Sequence, residues 1–232
     1  MKYLFIECDL KKDSTIQVLD KKDINYIVNV LRFKKNQNVL LLDGDGNYSE
    51  STLTSCHKKG VEIQTSSVDS VSKQDQLNLY FGMPNKLPKL ELILKMGTEM
   101  GVANFYPLNT SYSQVQSLGK IERLQQIIKS AASQSESKFL PRLHDIQKIT
   151  DIKEQTLYVC VCRKDNPQIT QVKEFKESNV LIGPEGGLSD ADLETLSKNN
   201  EIYYVSLGKK ILRLETASLL ALGVVMLKKS QK

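Results

Sequence analysis

What this 232-residue sequence has little of narrows its chemistry first. It holds two histidines, His57 and His144. Neither lies near another plausible ligand or nucleophile in the chain, so inventory nearly excludes a histidine-based triad or a His-rich zinc site. The four cysteines, Cys8, Cys56, Cys160 and Cys162, make no disulfide or metal framework. Cys160 and Cys162 close the apolar run LYVCVC, where a strand would put both side chains on one buried face as small core hydrophobes. A reduced, cytoplasmic protein without a bound metal is the expectation. Long hydrophobic runs are missing as well. The amino-terminal MKYLFIECDLKK is too short in its apolar part for a signal peptide. The longest apolar segment, Ala217 to Leu227, spans eleven residues, too few to cross a bilayer, and reads as a buried helix. The excess of positive charge is modest at +5. Residues 1–74 hold 11 Lys or Arg against 10 Asp or Glu, so a nucleic-acid surface would be a local patch and not a basic tail. Internal repeats and low-complexity tracts are absent.

What is there describes a folded chain, long enough for two modest domains, with 40% apolar and 25% charged residues. The first seventy residues read as short strands with turn punctuation: Lys2–Cys8, Val39–Leu42, Tyr48–Thr54 and Val61–Thr65, with a strong turn at Asp43-Gly44-Asp45-Gly46. One helix interrupts them. Asp23 is its expected cap, and Ile24, Ile27, Val28 and Leu31 share a face. Strands at this spacing suggest a small β-barrel over residues 1–70. The polar stretch Ser66–Gln76 reads as a linker.

From residue 76 to 232 the rhythm becomes strand and helix in alternation. Strands are expected at Leu77–Met83, Asn104–Leu108, Thr156–Cys162, Val180–Ile182 and Ile202–Leu207. Helices are expected at Lys86–Met100 (closed by Gly101), Ile121–Ala132, Ser189–Asn199 and Glu215–Lys228. Such alternation implies an α/β domain with a parallel sheet and helices on both faces.

Two segments of this second part carry chemistry. LIGPEGGLSDADL (Leu181–Leu193) and VSLGKKILRLETAS (Val205–Ser218) each run from an apolar strand through a loop into a helix. Gly183, Gly186 and Gly187 sit at a strand end, Pro184 stiffens the turn, and Ser189 and Asp190 can cap the helix that follows. Ligands of open α/β sheets bind at such strand ends. Neither segment is a dinucleotide fingerprint or a phosphate-binding P-loop, since G-x-G-x-x-G and G-K-[ST] are both missing. The residues by themselves reach a small-ligand pocket built from backbone.

The pairing of GPEGGLSDAD with SLGKKILRLETA resembles the paired carboxyl-terminal motifs of the SPOUT family. Within it the chain resembles the 16S ribosomal RNA uridine-N3 methyltransferases, with weaker matches at Val30–Arg32, Leu41–Gly46, Thr98–Val102 and Gln134. The resemblance implies a PUA-like RNA-binding barrel at the amino terminus. It also implies a carboxyl-terminal domain tied in a deep trefoil knot, and a homodimer with the methyl-donor site beside the dimer interface. The cofactor would be S-adenosyl-L-methionine, held by Leu181, Ile182, Gly183, Glu185, Gly186, Gly187, Leu207, Gly208, Ile211, Leu212 and Arg213. Main-chain groups there would read the adenine edge and the leucines and isoleucines its apolar face. The chain departs from the family pattern at Tyr112, at Lys210 and between Ser130 and Ser137.

The implied reaction sets requirements of its own. N3 of uridine is protonated at neutral pH, so a base and a group that offsets charge on O2 and O4 would both help. Arg213 and Glu215, at the strand-to-helix junction, are the catalytic candidates. The target edge must be unpaired or flipped out. Arg32, with Lys34 and Lys35 after the first helix, is the candidate grip on RNA, which by resemblance is 16S ribosomal RNA within the small subunit. Two other readings stay open: methylation of a different RNA nucleotide, and a catalytically silent RNA-binding or ribosome-assembly protein.

Overall fold

The computed structural model describes residues 1–72, 76–113, 115, 117–152, 156–162 and 165–230. The chain divides into two compact units, Met1–Gln74 with Ala132–Leu140, and Asp75–Ala131 with Pro141–Lys232.

The first unit is a mixed sheet of β1 (Lys2–Phe5), β2 (Thr15–Val18), β3 (Asn38–Leu42), β4 (Asn47–His57), β5 (Gly60–Thr65) and β6 (Asp69–Ser70). Its order is β1-β3-β4-β5-β2, with β6 paired to β4. Alternation in β1 and β3 sends Leu4, Val39 and Leu41 into a core with Leu53, Val61, Ile63, Ile24 and Ile27. Phe5, Leu40 and Leu42 face the other way, onto Ala132 and Leu140. Residues 132–140 therefore belong to this unit, an arrangement that a division of the chain near residue 76 does not foresee. The Asp43–Gly46 turn forms as expected. Asp43 Oδ1 accepts from Asp45 N at 2.7 Å and Asn47 N at 3.2 Å, and Gly44 and Gly46 take positive φ.

The expected helix starts earlier than Asp23. Helix α1 (Lys21–Asn25) is capped by Asp20, which accepts from Lys22 N and Asp23 N, and a π-helical turn over Tyr26–Val30 continues it. Asp23 lies in the first turn instead, where a carboxylate suits the helix dipole. Strand β2 has no counterpart in the sequence reading. Inside the expected linker, Asp69 and Ser70 pair with Tyr48 and Asn47, while residues 73–75 lie outside the described residues.

In the second unit the sheet is parallel throughout: β7 (Leu77–Gly82), β8 (Val102–Asn109), β9 (Arg142–Leu143), β10 (Gln147–Lys148), β11 (Thr156–Cys160), β12 (Ser178–Ile182) and β13 (Glu201–Val205). The order is β10-β8-β7-β12-β11-β13, with β9 on β8. Four helices accompany it in sequence, α2 (Leu87–Glu99), α3 (Ile121–Gln134), α4 (Asp190–Asn199) and α5 (Leu214–Lys229). Central strands β7 and β12 are buried along their whole length, as parallel strands covered on both faces must be. Tyr80, Leu157, Val159 and Leu181 pack under Leu193 and Leu196 of α4. Leu79, Phe81, Val180 and Ile182 are buried on the opposite face, where α2 and α5 pack. The α/β expectation holds.

At the amino ends of these strands runs a polar ladder that hydropathy did not suggest. Asn78 Nδ2 donates to Asn179 Oδ1 at 2.7 Å, Asn104 Nδ2 donates to Asn78 Oδ1 at 2.8 Å, and His144 Nε2 meets Asn104 Oδ1 at 3.1 Å. The His144 ring also stacks on Tyr106, which stacks on Tyr80. Burial, helped by nearby Arg142, pushes its pKa down. His144 is thus a half-buried structural residue, whereas His57 is exposed at the end of β4.

Candidate functional site

Because the sheet is parallel, the carboxyl ends of β11, β12 and β13 lie at one edge, and the loops leaving them enclose a cleft of about 380 Å³. Ile182, Gly183, Pro184, Glu185, Gly186, Gly187 and Leu188 form one wall. Leu207, Gly208, Lys210, Ile211 and Leu212 form another, while Cys160, Val161 and Cys162 come from the third loop. Leu193 of α4 and Leu214 and Ala217 of α5 complete it. The volume lies in the range of small-molecule and cofactor sites, and the lining is mainly apolar and main chain.

The loop after β12 is held by side chains from several elements. A Cβ on Gly82 would stand 2.3 Å from Pro184 Cδ and 2.4 Å from Pro184 N, so only glycine lets the two backbones approach. Glu185 accepts from Lys89 Nζ at 2.5 Å and from Asn85 N at 3.4 Å. Partial burial works to raise the Glu185 pKa, but these hydrogen bonds and the Lys89 charge outweigh it and hold the carboxyl below its ordinary value. Ser189 and Asp192 exchange hydrogen bonds in a capping box at the start of α4. Asp192, itself buried, also accepts from Ser111 Oγ at 2.9 Å and from Ser111 N, so the loop after β8 is tied to the same corner. Gly187 has φ +77° and Gly208 φ +118°, and an added Cβ at either would meet nothing within 4 Å. Both glycines therefore serve the backbone conformation and leave room in front of it.

Most of the residues expected from sequence meet here. Ile182, Gly183, Glu185, Gly186, Gly187, Leu207, Gly208, Ile211 and Leu212 all line the cleft. Leu181 does not. It is fully buried in the core beneath α4, because the strand alternation that points Ile182 one way points Leu181 the other. Arg213 and Glu215 are absent from the lining: Arg213 is the exposed N-cap residue of α5, and Glu215 sits in its first turn, between lining residues Leu214 and Ala217. Glu215 Oε2 is shielded from solvent and accepts no hydrogen bond among the described residues. Arg32, Lys34 and Lys35 are exposed in the first unit, with Arg32 in the left-handed region at φ 54°. The shared buried face expected for the two late cysteines is not observed. Strand β11 ends at Cys160, whose thiol burial pushes up to about 12, and the chain then turns out and exposes Cys162. That third loop has no counterpart in the sequence reading, although its signal was present in an apolar strand end three positions before a charged pair.

Among the described residues no three His, Cys, Asp or Glu side chains cluster as metal ligands would. No helix there is long and apolar enough to cross a membrane.

Comparison with known proteins extends over both units. The model of the RNA methyltransferase domain family matches residues 71–226, and that of the RNA methyltransferase PUA domain matches residues 19–65. The chain is 31% identical to the ribosomal RNA small subunit methyltransferase E of Synechocystis, over 89% of this chain and 71% of that one. It is 30% identical to the protein of the same name from Bacillus subtilis, over 88% of this chain and 87% of that one. The crystal structure of the Neisseria gonorrhoeae ribosomal RNA small subunit methyltransferase E, bound to S-adenosyl methionine, superposes with a TM-score of 0.85 at 22% identity. It covers 98% of this chain and 97% of that one, and shows the fold they share.

Proposed function

We propose that this chain, which belongs to the RNA methyltransferase family together with the ribosomal RNA small subunit methyltransferases E, methylates N3 of a uridine in 16S ribosomal RNA with S-adenosylmethionine as donor. The observation that carries the reading is the convergence of the Gly183–Gly187 and Leu207–Leu212 segments on one apolar cleft. Positive φ at Gly187 and Gly208 opens the main chain to close approach. The residues fit the cofactor: an apolar floor from Ile182, Leu188 and Leu207 suits an adenine face, and the glycine backbones suit its polar edge.

When bound, the cofactor supplies an activated methyl group on sulfur, so the protein's share of the work is to place the nucleophile and exclude water. Glu215 would take the N3 proton of the uridine. A solvent-shielded carboxylate oxygen with no hydrogen-bond donor among the described residues suits that part. Arg213, one residue before α5, would offset the negative charge that develops on the uracil oxygens or hold the neighbouring phosphate. Arg32, Lys34 and Lys35 would contact RNA phosphates from the amino-terminal unit, with methyl transfer carried out by the second.

A homodimer and a deep trefoil knot belong to the same reading. Leu219, Leu220 and Leu227 of α5 and Leu87 and Leu92 of α2 are apolar and exposed, which supports a second copy packing on these helices. From β13 at the sheet edge the chain returns to pack α5 against β12 and α2, the kind of return a knot requires. The substrate setting would be the cytoplasm, where four free cysteines stay reduced.

Incubating the purified protein with small-subunit particles and deuteromethyl-labelled donor, followed by mass spectrometry of the nucleosides, tests the assignment. Label in N3-methyluridine alone is the expected result. Label in another nucleoside would move the target, and donor binding without transfer to RNA would leave a silent binding protein.

A further inference from the structure

A second cleft, of about 440 Å³, adjoins the first and is lined by Asn85, Ser111, Tyr112, Ser113, Glu185 and Gly186. Glu185 and Gly186 line both. The two clefts therefore meet at this turn. Tyr112 stands at this boundary, 54% exposed. A side chain at position 186 would come within 2.9 Å of Tyr112 Cβ, so Gly186 is what allows the ring to lie against the loop. Tyr112 packs on Gly186 through one side and is otherwise open, which leaves an aromatic face available to a ligand.

The position of Tyr112 is also fixed. Thr110 and Ser113 bond one another at 3.0 Å, and Ser111 donates to buried Asp192. The turn that presents the ring is thus anchored on both sides to the corner that shapes the cofactor wall. Beside it, Asn85 accepts from Lys89 Nζ through Oδ1 at 3.0 Å. That contact orients the amide and leaves Nδ2 as a donor with no acceptor among the described residues.

We propose that this second cleft seats the unpaired target base, with Tyr112 as its stacking platform and Asn85 Nδ2 donating to a uracil carbonyl oxygen. An aromatic face beside a directed amide is what recognition of a splayed-out base requires: stacking for affinity and a hydrogen bond to its edge for identity. The shared Glu185–Gly186 wall brings that edge next to the donor cleft. The inference rests on the proposed RNA methyltransferase function and adds to it the seat of the substrate.

The test compares Tyr112→Ala, Tyr112→Phe and wild type in single-turnover methyl transfer to small-subunit particles, with donor affinity and thermal midpoint measured on the same preparations. Stacking predicts that Tyr112→Ala slows transfer at subsaturating RNA by about tenfold or more. Tyr112→Phe should stay within about twofold of wild type, since the π-face carries the contact. Donor affinity should be unchanged in both. Asn85→Ala should lower transfer at uridine without altering donor affinity. Transfer by Tyr112→Ala at the wild-type rate would overturn the proposal, as would equal losses in Tyr112→Ala and Tyr112→Phe or a parallel loss of donor binding. A wild-type protein that binds donor and labels no RNA would remove the functional reading and this one with it. An active wild type with an indifferent Tyr112 would remove this one alone.

Discussion

The loops after β12 and β13 face each other across the cleft, yet they are held to different degrees. Residues 183–187 are braced from several sides: Pro184 closes against Gly82, Lys89 and the Asn85 amide hold Glu185, and the Asp192–Ser111 contact fixes the start of α4 just beyond. Residues 208–212 are anchored at one end, where Ser206 Oγ accepts from Gly208 N and donates to its carbonyl. Beyond that, Ile211 is 88% exposed. One wall is held by contacts to several other elements, and the other is left more open. The difference teaches that mutations on the two sides should report on different things, folding on the braced side and binding on the open one.

The largest effect is expected where the brace is tightest. Gly82→Val puts a side chain into Pro184 and its backbone, and should lower stability by about 3 kcal/mol and remove measurable donor binding. Calorimetric melting and donor titration read the two together. An unchanged melting temperature would show that the loop after β12 is not braced by this contact.

Gly208→Val comes next. At φ +118° a valine is strained, by about 1–3 kcal/mol. A loop anchored at one end can relax in the free protein, so the melting temperature should hardly move. The strain returns when the loop closes on donor, and affinity should fall by about tenfold or more. A stability loss with affinity retained would invert the comparison.

Glu185→Gln is smaller, since its partner Lys89 is partly solvated, and about 0.5–1 kcal/mol is expected. The sign with pH follows from the depressed Glu185 pKa. A carboxyl lowered on folding stabilises the protein above its unfolded pKa and loses that contribution as pH falls through the folded one. The gap between wild type and Glu185→Gln should be full at neutral pH and close in acid. A constant gap in denaturant melts from neutral to acid pH would rule out the ion pair as the brace.

Arg32→Ala should leave both walls, and donor binding, untouched. It should lower the slope of log affinity for RNA against log salt by about 0.7–0.9. An unaltered slope would remove Arg32 from the phosphate contacts.

The braced wall was the more legible of the two in sequence. Gly183, Gly186, Gly187 and the Ser189–Asp192 capping box are local patterns, and local patterns survive reading one residue at a time. What braces them was not legible: Gly82, Lys89 and Ser111 lie about 75 to 105 positions earlier and meet the loop only through the parallel sheet. Leu181 enters the expected cofactor set through the family resemblance, and strand alternation sends it into the core. The early helix starts before Asp23: both Asp20 and Asp23 are good N-cap residues, and Asp20 is the one whose side chain accepts from the first turn. Strands β9 and β10, two residues each, carry too little pattern to announce themselves.

The most direct measurement is a crystal structure of the protein grown with S-adenosylmethionine. The account predicts donor lying between Gly183–Gly187 and Leu207–Leu212, in contact with both segments, with the second drawn inward from its position here. Donor bound elsewhere, or touching one segment while the other stays apart, would contradict it.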